Sequence, residues 1–257
     1  MLILIAESKT MSSSCHEVSV EEMKNNTPRF EEEALKIADH FRTLPVADLA
    51  TEIGISPSLA VKASKFFYDF SFKDCGEESI KAFTGEVFKA LNFSTLQEEA
   101  KQTGYADIRI ISSLYGILKP TDIIKPYRLE FKASYEPVSN NLIKFWKPKI
   151  TVSLGKEIKD RNESEILNLL PGDASNCIDW KLLKAFAKVI RPDFKIIDDN
   201  GNLKTPNAGK LKETRGLFLR NILENKLTFE EIMNFHSNHL NISKEESKPG
   251  LPLFIIS

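Results

Sequence analysis

The residues with the clearest chemical potential fall into two sets. Lys9 and Thr10 follow an apolar run at the start of the chain. Lys119, Asp122, Tyr127, Arg128 and Glu130 crowd a later segment that also holds Tyr115 and Gly116. Polar residues just beyond a strand are where α/β proteins place ligand sites. With Lys212, Lys9 and Arg128 could hold an anionic group, while Tyr127 or Glu130 could move protons. The expected cleft therefore comprises Lys9, Thr10, Tyr115, Lys119, Asp122, Tyr127, Arg128, Glu130, Lys212 and Arg215, with Lys9, Tyr127, Arg128 and Glu130 as catalytic candidates. The plainer alternative is that Arg128 and Glu130 pair within a structural charge network.

The second set is Gly54, Ile55, Ser56, Lys62 and Lys65. A short turn containing Gly between two helices can point backbone N–H groups outward, and the next helix adds its positive N-terminal end. A DNA phosphate fits such a place. Contacts of this kind position a duplex without reading its bases. The usual DNA-binding form has a second Gly two residues after the first, where this chain has Ser56. Asp48 and Glu52 add negative charge nearby, and a plain αα-hairpin is the competing reading.

Familiar catalytic signatures are absent: the sequence has no GxSxG, GxxxxGK[ST], HExxH or GxGxxG. His236 and His239 have metal-like spacing on an expected helical face, but no third ligand is evident, so no metal or cofactor is expected. Cys15, Cys75 and Cys177 are far apart, odd in number and form no CxxC pair. They are expected to be reduced thiols of a cytoplasmic protein.

The elements that must position these residues are legible from apolar spacing. Met1 to Ala6 reads as a buried strand; it is too short for the ~7–15-residue apolar core of a signal peptide. Ser12, Ser13 and Ser14 fall in a polar loop. Phe30, Ala34, Ile37, Ala38 and Phe41 recur at helical spacing, giving a helix over about 28–43. Residues 46–70 read as helix, tight hairpin, helix, with Gly54 ending the first and Ser56-Pro57 opening the second. Strands are expected at 80–83, 107–112, 166–170 and 253–256. Further helices are expected up to Leu91, around 96–102, and at 145–159, 211–224 and 229–235. Asp199-Asn200-Gly201-Asn202 marks a hairpin turn.

Length and composition allow one core. A chain of 257 residues with 42% hydrophobic and 28% charged residues is ordinary for a globular protein. No linker divides it, so one domain over 1–257 is expected, α/β with mixed α+β content, a central buried sheet and the hairpin at 46–70 within it. The net charge of −1, from 35 basic against 36 acidic residues, argues against a surface coated in positive charge. It leaves room for a local basic cleft. No stretch approaches the ~18 apolar residues of a membrane helix.

Several segments together resemble the YaaA family of bacterial peroxide-stress proteins. They are Met1 to Ile5 with Lys9 and Thr10; Ala82 and Phe83 with Gly85 and Val87; Ser112 through Asp122; Pro126 to Glu130; Phe145 and Trp146. Arg215, Gly216, Arg220 and Asn225 to Leu227 follow near the end. The resemblance implies a compact fold peculiar to that family with a basic cleft, a helix–hairpin–helix, and DNA binding. It also implies a role in limiting oxidative damage linked to intracellular iron. The chain departs from the family at Leu170-Pro171-Gly172-Asp173 and at Thr205-Pro206-Asn207-Ala208-Gly209, so one cleft wall is expected to differ. Thr214 stands where Ala is usual.

Two function classes follow. The first is a monomeric, non-enzymatic DNA-associated stress protein that binds DNA weakly and without sequence preference. The second is an enzyme acting on a nucleobase- or nucleotide-like small polar substrate in the Lys9/Arg128/Glu130 cleft.

Overall fold

A computed structural model describes residues 1–12, 16–70, 75–135, 141–237 and 239–256. Its centre is a five-stranded sheet containing β1 (Leu2–Ala6), β2 (Ile108–Ser112), β3 (Gly116–Leu118), β4 (Glu165–Asn168) and β5 (Lys188–Ile190), in the order β3-β2-β1-β4-β5. β1 runs parallel to β2, with Ile3 opposite Ile108, and parallel to β4, with Leu2 opposite Ile166. β3 returns antiparallel on β2. Leu2, Ile3, Leu4 and Ile5 are all buried. That is why β1 reads as an unbroken apolar run: a parallel sheet is covered on both faces.

A second sheet holds β6 (Asp193–Ile197), β7 (Leu203–Lys204), β8 (His236–Ser237), β9 (Leu240–Lys248) and β10 (Leu251–Ile256), in the order β7-β6-β10-β9-β8. Short strands at His16–Glu17, Cys75–Glu78 and Ile123–Ile124 form a third. One hydrophobic cluster runs from Leu2 to Ile256 and takes in both larger sheets; within it Phe194 and Phe254 of the second sheet pack on each other, and Phe218 packs on Phe194. The fold is α/β with mixed α+β content, as expected.

Three helices follow their sequence signals closely. α1 (Glu31–Thr43) buries Ala34, Ile37, Ala38 and Phe41. α2 (Val46–Ile53) ends at Gly54, which adopts a left-handed φ of 76°, and α3 (Pro57–Asp69) begins after Ser56. Three more elements matter for the site: α4 (Glu86–Leu91), α5 (Leu142–Asp160) and α6 (Ala208–Asn225). α6 packs on α4, with Arg220 Nη1 donating to the Leu91 carbonyl at 2.9 Å.

Three expectations need correction. Residues 80–83 do not form a strand: Ser79–Ala82 is a helical turn. The Ser79 amide donates to the Asp122 carbonyl and the Ile80 amide to the Pro120 carbonyl, so the loop after β3 captures the donors a ladder would need. His236 lies in β8, not on a helix, because the preceding helix stops at Ile232. Finally, Cys75 is disulfide-bonded, so the cysteines are not all reduced. Antiparallel pairing of Glu17 with Cys75 brings segments together that sequence spacing keeps apart. Cys177 is a buried free thiol, its pKa pushed up to about 12 by burial. The Ser13-Ser14 loop and Cys15 lie outside the described residues. Among the described residues, no helix is long and apolar enough to cross a membrane.

Candidate functional site

The main cleft opens at the carboxyl ends of β1 and β4. β2 lies on one side of β1 and β4 on the other, so the chains leaving these strands diverge and leave a crevice, as at other switch points of parallel sheets. The cavity measures about 530 Å³. Its floor is Ile5, Ala6 and Glu7, and its walls include Val87, Phe88, Phe131, Leu169, Pro171 and Asp173. Ser8, Lys9, Thr10, Glu130, Lys212 and Arg215 complete the lining.

Glu7 is the carboxyl that this arrangement brings forward. Its Oε2 accepts the Ser113 backbone N–H at 2.8 Å and the Tyr127 hydroxyl. Tyr127 in turn lies 2.8 Å from Ser112 Oγ. The direction of that chain is fixed by donor count. Ser112 Oγ already accepts the Leu114 and Tyr115 amides, at 3.2 and 2.9 Å, so its own proton goes to Tyr127 and the Tyr127 proton goes to Glu7. No cation pairs with Glu7 among the described residues. Glu7 keeps partial exposure to the cleft, yet burial of its carboxyl raises the pKa from 4.5 to about 7; the Ser113 and Tyr127 hydrogen bonds oppose this less strongly. Burial also pushes the Tyr127 hydroxyl well above its ordinary value. Tyr127 is thus a donor at any physiological pH.

The loop that delivers Ser112 and Ser113 depends on Gly116 and Trp146. Gly116 has a φ of +71°, and a Cβ there would sit 2.7 Å from the Trp146 ring. Trp146 Nε1 donates to the Ser113 carbonyl at 2.7 Å. Trp146, near the start of α5, therefore clamps the loop that orients Glu7.

Glu130 is differently placed. It accepts from Arg128 Nη2 at 3.3 Å and pairs with Lys9 Nζ at 2.5 Å, while Arg128 Nη1 donates to the Lys9 carbonyl at 3.0 Å. Lys9, Arg128 and Glu130 form one network along the rim. Gly85 allows the Ser8–Thr10 turn to lie close, since a Cβ there would fall 2.1 Å from Ser8 Oγ. Across the cleft, Lys212 and Arg215 project from α6 and have no ion-pair partner among the described residues. Burial, and then the nearby Arg191 charge, lower the Arg215 pKa.

The remaining candidates fall elsewhere. Lys119 and Asp122 line a separate cavity of about 250 Å³ with Arg29, Arg109 and Glu157. Asp122 accepts the Lys119 amide at 2.8 Å, and burial raises its pKa to about 6. Tyr115 and Tyr127 are buried, Tyr115 accepting the Lys125 amide at 3.1 Å. At the hairpin, the Gly54 and Ile55 amides both turn back to the Ala50 carbonyl at 3.0 Å. Ser56 makes no side-chain cap bond, and Lys62 and Lys65 are exposed on α3. Glu52 pairs with His40 at 2.9 Å. No group of three His, Cys, Asp or Glu side chains among the described residues could hold a metal.

Sequence reasoning missed Glu7 and Asp173 as cleft residues, and Ser112 and Ser113 as the buried groups that hold Glu7 and Tyr127 from behind. The signal for Glu7 was a carboxylate directly after a fully buried strand. Pro171, Gly172 and Asp173, where the chain departs from the resembled pattern, do lie on the cleft wall.

A family model for the peroxide stress protein YaaA matches residues 1–246. The chain is 32% identical over 235 residues to a UPF0246 protein of Parabacteroides distasonis, covering 91% of this chain and 90% of that one. It is 29% identical over 243 residues to a UPF0246 protein of Hahella chejuensis, covering 93% and 92%. A UPF0246 protein of Shewanella baltica is 31% identical over 261 residues, covering 99% and 98%.

Proposed function

The chain belongs to the YaaA family of peroxide stress proteins, and from that premise we propose that it serves this response by associating with DNA, limiting damage linked to intracellular iron. The observation that carries the reading is the α2–α3 hairpin. Gly54 and Ile55 spend their amides closing α2, Pro57 has no N–H and the Leu59 amide donates to the Ser56 carbonyl, so the donor left for a phosphate is the Ser58 amide, which the Ser56 side chain leaves uncapped. Exposed Lys62 and Lys65 stand along the same helix. Binding of this kind is electrostatic and blind to sequence.

Fluorescence anisotropy with a labelled duplex and a four-way junction tests it. Binding should fall as salt rises, and Lys62→Glu with Lys65→Glu should weaken it about tenfold or more. The double change should also reduce the slope of log affinity against log salt by about 2. Undiminished binding by the double variant would falsify the assignment to the hairpin.

A second reading, a small polar ligand in the main cleft, is favoured by Lys212 and Arg215, which have no ion-pair partner among the described residues and line one cavity with the hydrogen-bonded Glu7 carboxyl. Direct binding of a small anion by the purified protein, lost on Lys212→Ala with Arg215→Ala, is the result it requires.

A further inference from the structure

We propose that the main cleft takes a nucleoside monophosphate, with its phosphate at Lys212 and Arg215 and its base edge at Glu7, which exchanges a proton with the ligand. This rests on the small-ligand reading of the cleft and specifies both the occupant and the residue that meets it.

The polar groups of the lining ask for two kinds of chemistry. Lys212 and Arg215 present two cations without carboxylate partners among the described residues, which suits a dianionic phosphate. Apart from Glu7, the acidic groups along the lining have partners of their own. Glu130 is held by Lys9 and Arg128, Asp173 pairs with Lys132 at 3.0 Å, and Glu86 pairs with Lys89 at 3.1 Å. Much of the remaining lining is apolar: Ile5, Val87, Phe88, Phe131 and Leu169. A nucleobase has two apolar faces and a hydrogen-bonding edge, and a cavity of about 530 Å³ lies within the range of small-ligand sites.

Glu7 meets that edge in either protonation state. Ionised, it accepts a ring N–H or an exocyclic amine proton. Protonated, it donates to a ring nitrogen. In the exchange itself the O–H bond of Glu7 breaks as an N–H bond forms on the base, and the carboxylate left behind keeps the Ser113 amide and the Tyr127 hydroxyl as donors. Tyr127 from the loop and Cys177 behind the site interact electrostatically with Glu7, and the other charged groups on the cavity lining are Lys9, Glu86, Glu130, Asp173, Lys212 and Arg215. Burial places its pKa near 7, so both forms are populated at neutral pH.

The test is calorimetric titration of the full chain with AMP, GMP, CMP and UMP at pH 7, repeated in buffers of different ionisation enthalpy. At least one nucleotide should bind, and Lys212→Ala with Arg215→Ala should weaken it about 100-fold. Wild type should exchange about half a proton more or less per nucleotide bound than Glu7→Gln does, since a group with a pKa near the buffer pH is half-titrated. The phosphate titrates alike in both proteins and cancels. Tyr127→Phe removes a donor to the carboxylate, so the pH of greatest proton exchange should move upward; this keeps the test open should Glu7→Gln fail to fold. Nucleotide binding with equal proton exchange in wild type and Glu7→Gln overturns the role of Glu7 and leaves the cleft reading standing. No binding of any of the four at millimolar concentration overturns the nucleotide assignment; the small-ligand reading falls with it only if inorganic phosphate also fails to bind.

Discussion

Glu7→Gln is expected to make the protein more stable above pH 7 while leaving its stability below about pH 4.5 nearly unchanged. The folded carboxyl has a pKa of about 7 against an ordinary 4.5, because burial disfavours its charge. A proton therefore stays bound to the folded chain over a range where the unfolded chain has lost it. The contribution of Glu7 to stability is fully present below pH 4.5 and is lost as pH rises through 7. Gln keeps the size and the acceptor for Ser113 and Tyr127 but never ionises. The full difference corresponds to about 3 kcal/mol, and partial exposure to the cleft reduces it toward about 2 kcal/mol. Urea unfolding of both proteins from pH 4.5 to 8.5 reads the effect as curves that converge at low pH and separate above 7. Parallel curves across the range would show that the carboxyl does not titrate near neutrality. A residue that costs stability at neutral pH, where a neutral isostere fits, is best understood as kept for its chemistry.

Gly216→Ala should cost about 2 kcal/mol or more although it places alanine inside a helix. A Cβ at this position would lie 2.3 Å from the Val87 carbonyl oxygen, 2.7 Å from the Ala90 Cβ and 3.1 Å from the Leu91 amide. The first and third of these are backbone atoms of α4 and cannot turn aside, so α6 must move away. Overpacking of this kind outweighs the ~1 kcal/mol that alanine gains over glycine in a helix. Gly209, in the first turn of the same helix, is the control. Its Cβ would meet only Asn207 Oδ1 at 3.4 Å, so Gly209→Ala should be neutral or slightly stabilising. Thermal melts of both variants separate helix propensity from packing. Because α6 carries Lys212 and Arg215 and α4 carries Val87 and Phe88, Gly216→Ala should also weaken any anion held in the cleft. A melting temperature equal to wild type would show that α4 and α6 are not locked together here.

Much of the framework was legible because burial imposes a period on each element. β1 reads as a strand from five apolar residues, and α1 reads as a helix from one apolar face. Gly54 marks the end of α2 because the chain needs a left-handed residue there. β9 escaped notice for the opposite reason. Its sequence, Leu240 to Lys248, is mostly polar and largely exposed, and it is a strand because β10 offers it a ladder. Residues 80–83 looked like a strand from composition, but the carbonyls of Pro120 and Asp122 decided their backbone.

The site divides in the same way. The sequence alone determined which segments are special: Lys9 and Thr10 after a buried strand, the run from Ser112 to Glu130, Phe145 and Trp146, and Arg215 and Gly216. It could not determine which of their side chains meet. Lys119 and Asp122 lie a few residues from Arg128 and Glu130 in the chain, yet they line a different cavity. Glu7 and Tyr127 are far apart in the chain and share a hydrogen bond. Periodicity records how deeply a residue is buried by its own element, which is a local property. Which elements become neighbours follows from strand order and crossover, and in this fold placing β1 between β2 and β4 turned the end of a buried strand into the floor of a cleft.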